Sequence, residues 1–128
     1  LEGIVAFTGL SDAAAINAAR VTADATFTNF VGSKMLGWYL EGAYHLFHHL
    51  IPETDHDLVL FARLEDIDTQ FRMPGGFAKN NANDRNTVKA GLTYRPIPQL
   101  AFKADYDFNW NAANAGTDQF NLGVGFSY

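Results

Sequence analysis

Phe120, Leu122, Val124, Phe126 and Tyr128 occupy every second position of the stretch Asp118–Tyr128, with Gln119, Asn121, Gly123, Gly125 and Ser127 between them. Successive side chains of an extended strand point to opposite faces, so this spacing puts every large apolar group on one side and small or polar groups on the other. A helix would scatter the same residues around its axis. The stretch therefore predicts a strand whose two faces meet different surroundings.

Four earlier segments follow the same arithmetic. Met35–Phe47 sets Leu36, Trp38, Leu40, Tyr44 and Leu46 against Tyr39, Glu41 and His45. Asp57–Gln70 sets Leu58, Leu60, Ala62 and Leu64 against Arg63 and Glu65, although Val59, Phe61 and Ile67 make its polar parity impure. Asn86–Arg95 sets Val88, Ala90, Leu92 and Tyr94 against Thr87, Lys89, Thr93 and Arg95. Gln99–Trp110 sets Leu100, Phe102, Ala104, Tyr106 and Phe108 against Lys103, Asp105 and Asp107. Leu1–Leu10, with poorer alternation, is a candidate sixth strand. The expected fold class is all-β and antiparallel. Charges held to one parity suit a water-filled interior, because Arg or Lys at a lipid midplane costs about 2 to 4 kcal/mol.

Composition narrows the classes further. The chain has 128 residues, 48% of them hydrophobic and 14% aromatic. Its mean hydropathy of -0.10 leaves no run of about 18 apolar residues that would cross a membrane as a helix. Crossing by strands is compatible with that value, since alternation hides the lipid-facing residues from an average. Without cysteine there is no disulfide framework or thiolate chemistry. A net charge of -5 argues against nucleic acid as a partner.

The connections carry a pattern of their own. Ser11–Lys34, Phe71–Arg85 and Asn111–Thr117 fall at one end of the strands, and His48–His56 and Arg95-Pro96-Ile97-Pro98 at the other. The two longest thus share a side. Within the first, SDAAAINAAR (Ser11–Arg20) reads as a short helix capped by Ser11 or Asp12. The MPGGF stretch opens a turn-rich loop.

The segments GWYLEGAYHLF (Gly37–Phe47), LVLFARLEDIDTQ (Leu58–Gln70), MPGGF (Met73–Phe77), GLTYRPIPQLAFKADYDF (Gly91–Phe108) and DQFNLGVGFSY resemble the carboxyl-terminal part of Gram-negative outer-membrane porins, in particular the phosphate-selective-porin-like group. The resemblance covers roughly the last 90 residues; residues 1–34 resemble that group only loosely, and Leu64 stands where an aromatic is more usual for it. It implies a transmembrane β-barrel of about 16 or 18 strands, often trimeric, of which this chain supplies about six carboxyl-terminal strands as part of a single barrel domain. Further strands are then expected before Leu1. It also implies a passive diffusion channel for small hydrophilic solutes or ions, integral to the bacterial outer membrane and in contact with its lipid. Phe126 and Tyr128 would form an assembly signal read by the barrel-assembly machinery.

On this reading the pore-lining candidates are Glu41, Arg63, Glu65, Lys89, Arg95, Lys103, Asp105 and Asp107, four acids and four bases. Inward charges on neighbouring strands commonly pair and stiffen the wall, so weak selectivity is expected from this part. Trp38, Tyr44, Tyr94, Tyr106, Phe126 and Tyr128 fit lipid-interface belts. His45, His48, His49 and His56, with Asp55 and Asp57, are the one metal-like cluster, but their spacing matches no compact ligand motif and no metal is assigned. Neither Ser33 nor Ser127 shares an outward parity with a His, so no catalytic residue, enzyme activity or cofactor is expected. Two other classes fit the same alternation. One is a non-conducting outer-membrane barrel serving as scaffold or adhesin; the other is a soluble lipocalin-like ligand-binding barrel, which would bury its apolar face inward.

Overall fold

The computed structural model describes residues 1–51 and 53–127, so Tyr128, half of the expected assembly signal, lies outside the described residues. Six antiparallel strands, β1 (Glu2–Gly9), β2 (Lys34–His45), β3 (Asp57–Arg72), β4 (Asp84–Ile97), β5 (Leu100–Asn111) and β6 (Gln119–Phe126), form one sheet in chain order. Each strand pairs with its sequence neighbour, and β1 and β6 do not meet. The sheet is open. All six expected strands are present, with shifted ends.

Two of those shifts have clear physical causes. Leu46 and Phe47, expected to continue β2, instead begin a short helix, α2 (Leu46–Leu50). The strand stops at His45, whose ring is anchored on both carboxylate oxygens of Asp57 at 3.0 Å, at the start of β3. Pro96 and Ile97, expected in the connection, belong to β4, and only Pro98 and Gln99 make the turn. Proline lacks the N–H that a regular ladder uses. The register accommodates it by shifting between Tyr94 and Ile97, a β-bulge that brings Ile97 opposite Leu100 on the apolar face.

The register fixes the two faces. On one, Leu40, Leu64, Val88 and Phe108 run side by side across β2–β5, and Tyr44, Leu60, Leu92, Ala104 and Leu122 form a second row. Leu58, Tyr94, Phe102 and Val124 form a third. The row Trp38–Asp66–Asn86–Trp110 ends this apolar band toward the long loops. Ten intervals separate Leu100 from Trp110 on β5, about 33 Å of strand at ~3.3 Å each.

Burial is inverted relative to a water-soluble fold. Leu122, Val124 and Phe126 are 75%, 70% and 69% exposed, whereas Asp105 is 6% and Gln70 2% exposed. The only buried hydrophobic residues among those described are Ala13 and Val59.

The long-loop rim holds the densest polar packing. Helix α1 (Ala13–Ala23) buries Asn17, whose side chain donates to the Val31 carbonyl at 2.8 Å and accepts from the Val31 N–H at 2.7 Å. Gln70 donates to the Phe30 carbonyl and accepts from the Asn80 N–H, tying two loops to β3. Asp24, in the first of these loops, has its carboxyl held below the usual range by the Thr26 hydroxyl and amide.

Candidate functional site

The opposite face of the sheet gathers all eight charged candidates. Glu41, Arg63, Lys89 and Asp107 lie in one cross-strand row, extended by Glu2 on β1 and Gln119 on β6. The next row toward the long loops is Tyr39–Glu65–Thr87–Asn109. On the other side lie Phe61–Gly91–Asp105–Asn121, then His45–Val59–Thr93–Lys103, and finally Asp57–Arg95. Period two alone brings these side chains together, since an antiparallel register keeps one parity on one face.

Pairing among them is dense but only partly cross-strand. Lys89 Nζ lies 3.0 Å from Asp107 and 3.4 Å from Asp105. Arg95 reaches Asp57 at 3.2 Å, and Lys103 lies 3.5 Å from Asp105. Arg63, opposite Glu41 in register, instead bonds Glu65 on its own strand at 2.6 Å, with its guanidinium 3.8 Å from the centre of the Tyr39 ring. Glu41 has no ion-pair partner among the described residues. Asn121 donates to Asp105 at 2.8 Å and to Asp107 at 3.3 Å, so β6 braces the charged rows with amides.

The impure residues of β3 have a place in this wall. Phe61 lies opposite Gly91, where an added Cβ would stand 2.8 Å from the Phe61 ring and 2.5 Å from the Ala104 carbonyl. The missing side chain leaves room for the tip of the ring over β4. Lys103 Nζ sits 4.6 Å from the centre of that ring, so an apolar residue on the charged face supports a cation.

Several residues of this face were not among the eight candidates: Glu2, Tyr39, Asp57, Arg85, Thr87, Asn109 and Asn121. Tyr39, Thr87, Asn109 and Asn121 share the parity but carry no charge, whereas Glu2, Asp57 and Arg85 are charged and sit at strand starts, where alternation gives little signal. Asn109 has a second role that parity does not reveal. Its side chain donates to the Thr117 carbonyl at 3.0 Å and its N–H to Asp118 at 3.0 Å, drawing the 112–118 connection back over β5.

The histidines sit at the short-loop rim and have local partners. His45 bonds Asp57, His56 Nδ1 lies 2.7 Å from the Tyr94 hydroxyl, and His49 stacks on Tyr44 with ring centres 5.1 Å apart. No group of three or more His, Cys, Asp or Glu is arranged to hold a metal ion among the described residues. At the long-loop rim Lys79 bridges Asp68 at 2.6 Å and Asp84 at 3.1 Å. The bond to Asp68 leads in raising the Lys79 ammonium above its ordinary value, against the opposing effect of burial.

No family model matches the chain, and no solved structure matches it. An uncharacterized protein of Aquifex aeolicus (strain VF5) is 32% identical over 103 residues, which make up 79% of this chain and 23% of that relative. The chain thus spans about a quarter of the length of the curated relative it matches.

Proposed function

We propose that this chain is a stretch of the wall of an outer-membrane β-barrel porin, a passive channel for small hydrophilic solutes or ions. The observation that carries the reading is the inverted polarity of the sheet, with an exposed apolar band on one face and paired charges on the other. In water, such a band would be a large exposed hydrophobic patch. Against lipid it is the favoured surface, and about 33 Å of strand set at the roughly 40° tilt of such barrels would give a height of about 25 Å, which fits the hydrocarbon layer. Trp38 and Trp110, on the row that ends the band, stand where an aromatic girdle belongs.

The unpaired edges of β1 and β6 agree with this reading. A sheet crossing lipid leaves no backbone edge open, so further strands complete the wall. The matched relative, about four times the length of the matched stretch, has room for them. A soluble lipocalin-like barrel would instead turn Leu92, Phe102 and Leu122 inward and present Lys103 to solvent.

Single-channel recording of the intact protein in a planar bilayer tests the proposal. Stable open steps in KCl are the expected result, with a small reversal potential because this wall's charges are largely compensated. A heat-modifiable barrel that inserts and never conducts would replace the porin reading with that of a scaffold or adhesin.

A further inference from the structure

The charged wall contains a niche of about 290 Å³ lined by Arg63, Glu65, Thr87, Lys89, Asp107 and Asn109. All six side chains are polar or charged. Arg63 and Lys89 are directly opposed across β3 and β4, an arrangement of like charges that disfavours pairing unless something lies between or beside them. Glu65 and Asp107 flank them, Glu65 hydrogen-bonded to Arg63 and Asp107 ion-paired with Lys89. The four charges sum to zero, so the niche is amphoteric rather than anionic or cationic.

Its hydrogen-bonding capacity is only partly used. Of the five guanidinium donors of an arginine, Arg63 commits Nη2 to Glu65, and its buried Nε has no acceptor. Lys89 directs its ammonium to Asp105 and Asp107 and keeps a third N–H. On the accepting side, Glu65 receives Arg63 on Oε2, leaving Oε1, and the Thr87 hydroxyl donates to Asn109 at 2.8 Å, leaving its oxygen lone pairs. Unspent donors therefore lie on the Arg63–Lys89 row, which also holds Asp107 Oδ1, ion-paired with Lys89 but without a hydrogen bond, and further unspent acceptors lie on the adjoining Glu65–Thr87 row.

We infer that this niche is a binding subsite for a small zwitterion carrying both a carboxylate and a primary ammonium group, of the α-amino-acid type. The carboxylate accepts from Arg63 and Lys89, and the ammonium donates to Glu65 and Thr87. A simple anion would satisfy the first row, leave the second unmet and unbalance a neutral site; a simple cation does the reverse. The zwitterion meets both rows and keeps the niche neutral. The inference deepens the channel reading by naming a solute class, and it rests on that reading for its transport meaning alone.

Saturation-transfer NMR on the intact protein in deuterated detergent tests it, with alanine, acetate and methylammonium as probes at equal millimolar concentration. Alanine is expected to give a saturable signal at least tenfold above either half-ligand. Glu65→Gln and Arg63→Gln should each reduce it severalfold, while Glu53→Gln, exposed in the connection between β2 and β3 and away from the niche, leaves it unchanged. Heat-modifiable gel mobility verifies that each variant is folded, and Thr87→Val, a near-isosteric change that keeps both ion pairs, supplies a milder loss if an ion-pair variant fails to fold. Equal signals from acetate and alanine, an alanine signal indifferent to these substitutions, or no signal from the folded protein would overturn the inference. Alanine binding by a protein that never conducts would retain the subsite and remove the porin reading, whereas conductance without alanine binding would do the opposite.

Discussion

The wall of the sheet and its long-loop rim are held together by different means. In the wall, each side chain's face follows from its parity, and stability against collapse comes from backbone ladders with ion pairs strung across them. At the rim, strands give way to loops, and single amides take over: Asn17 closes on Val31, and Gln70 joins Phe30 to Asn80. The wall distributes its interactions over many similar contacts. The rim concentrates them in a few buried polar groups, each expensive to leave unpaired. One region should tolerate the loss of a single polar contact, and the other should not.

The sharpest break is a charge placed on the wrong face. Leu92→Arg on the apolar face should destabilise the folded protein in lipid by about 2 to 4 kcal/mol. Thr93→Arg, one residue along on the polar face, should cost under about 1 kcal/mol. Urea unfolding in liposomes measures both, and similar losses would erase the distinction between the faces.

Close packing within the wall gives the next effect. Gly91→Val forces atoms against the Ala104 carbonyl and the Phe61 ring, and should cost about 1 to 3 kcal/mol. Gly42→Val, on the other face with nothing within 4 Å of its Cβ position, should be neutral or slightly favourable. The pair of substitutions in the same unfolding assay separates steric demand from strand propensity.

At the rim, Gln70→Ala orphans the Phe30 carbonyl and the Asn80 N–H together. A local loss of about 1 to 3 kcal/mol is expected. Hydrogen exchange at Asn80 should accelerate by one to two orders of magnitude, while amides of β4 and β5 keep their protection. Faster exchange throughout the sheet would mean that rim and wall unfold as one unit.

The smallest effect is a pH dependence confined to the rim. Lys79 has a raised folded value, so its contribution is fully present below the unfolded value of 10.5 and is lost as pH rises through the folded value. Its side chain is about a third exposed, which limits the contribution to at most about 1 kcal/mol. Proteolytic nicking within residues 73–83 should therefore increase only above about pH 10.5 and should become pH-independent there in Lys79→Met.

The same contrast explains what the sequence made legible. Period two identified five of the six strands and the common face of Glu41, Arg63, Glu65, Lys89, Arg95, Lys103, Asp105 and Asp107, because strand geometry ties parity to face regardless of distant context, whereas β1, with poor alternation, was only a candidate. It missed the end of β2 at His45 and the extension of β4 through Pro96 and Ile97. Those boundaries are set by a bond between His45 and Asp57, which are twelve residues apart, and by a bulge, and neither carries a periodic signal. Arg63 turning to Glu65 instead of Glu41 was equally hidden, since the stacking partner Tyr39 comes from the neighbouring strand. The Asn17 and Gln70 bonds were out of reach: an amide in a loop-rich stretch looks solvated until the fold brings a carbonyl to it.

The central claim, that the apolar face meets lipid and the charged face meets water, is open to a direct measurement. This stretch has no cysteine, so single cysteines placed one at a time along β5, from Leu100 to Asn111, can carry nitroxide labels without background from it. Paramagnetic resonance in lipid bilayers then reads collision with oxygen, which concentrates in lipid, against a water-soluble nickel chelate. The account predicts period-two alternation, with oxygen favoured at Phe102, Ala104, Tyr106 and Phe108 and the chelate favoured at Lys103, Asp105, Asp107 and Asn109. The reverse alternation, or chelate access at both parities, would contradict it.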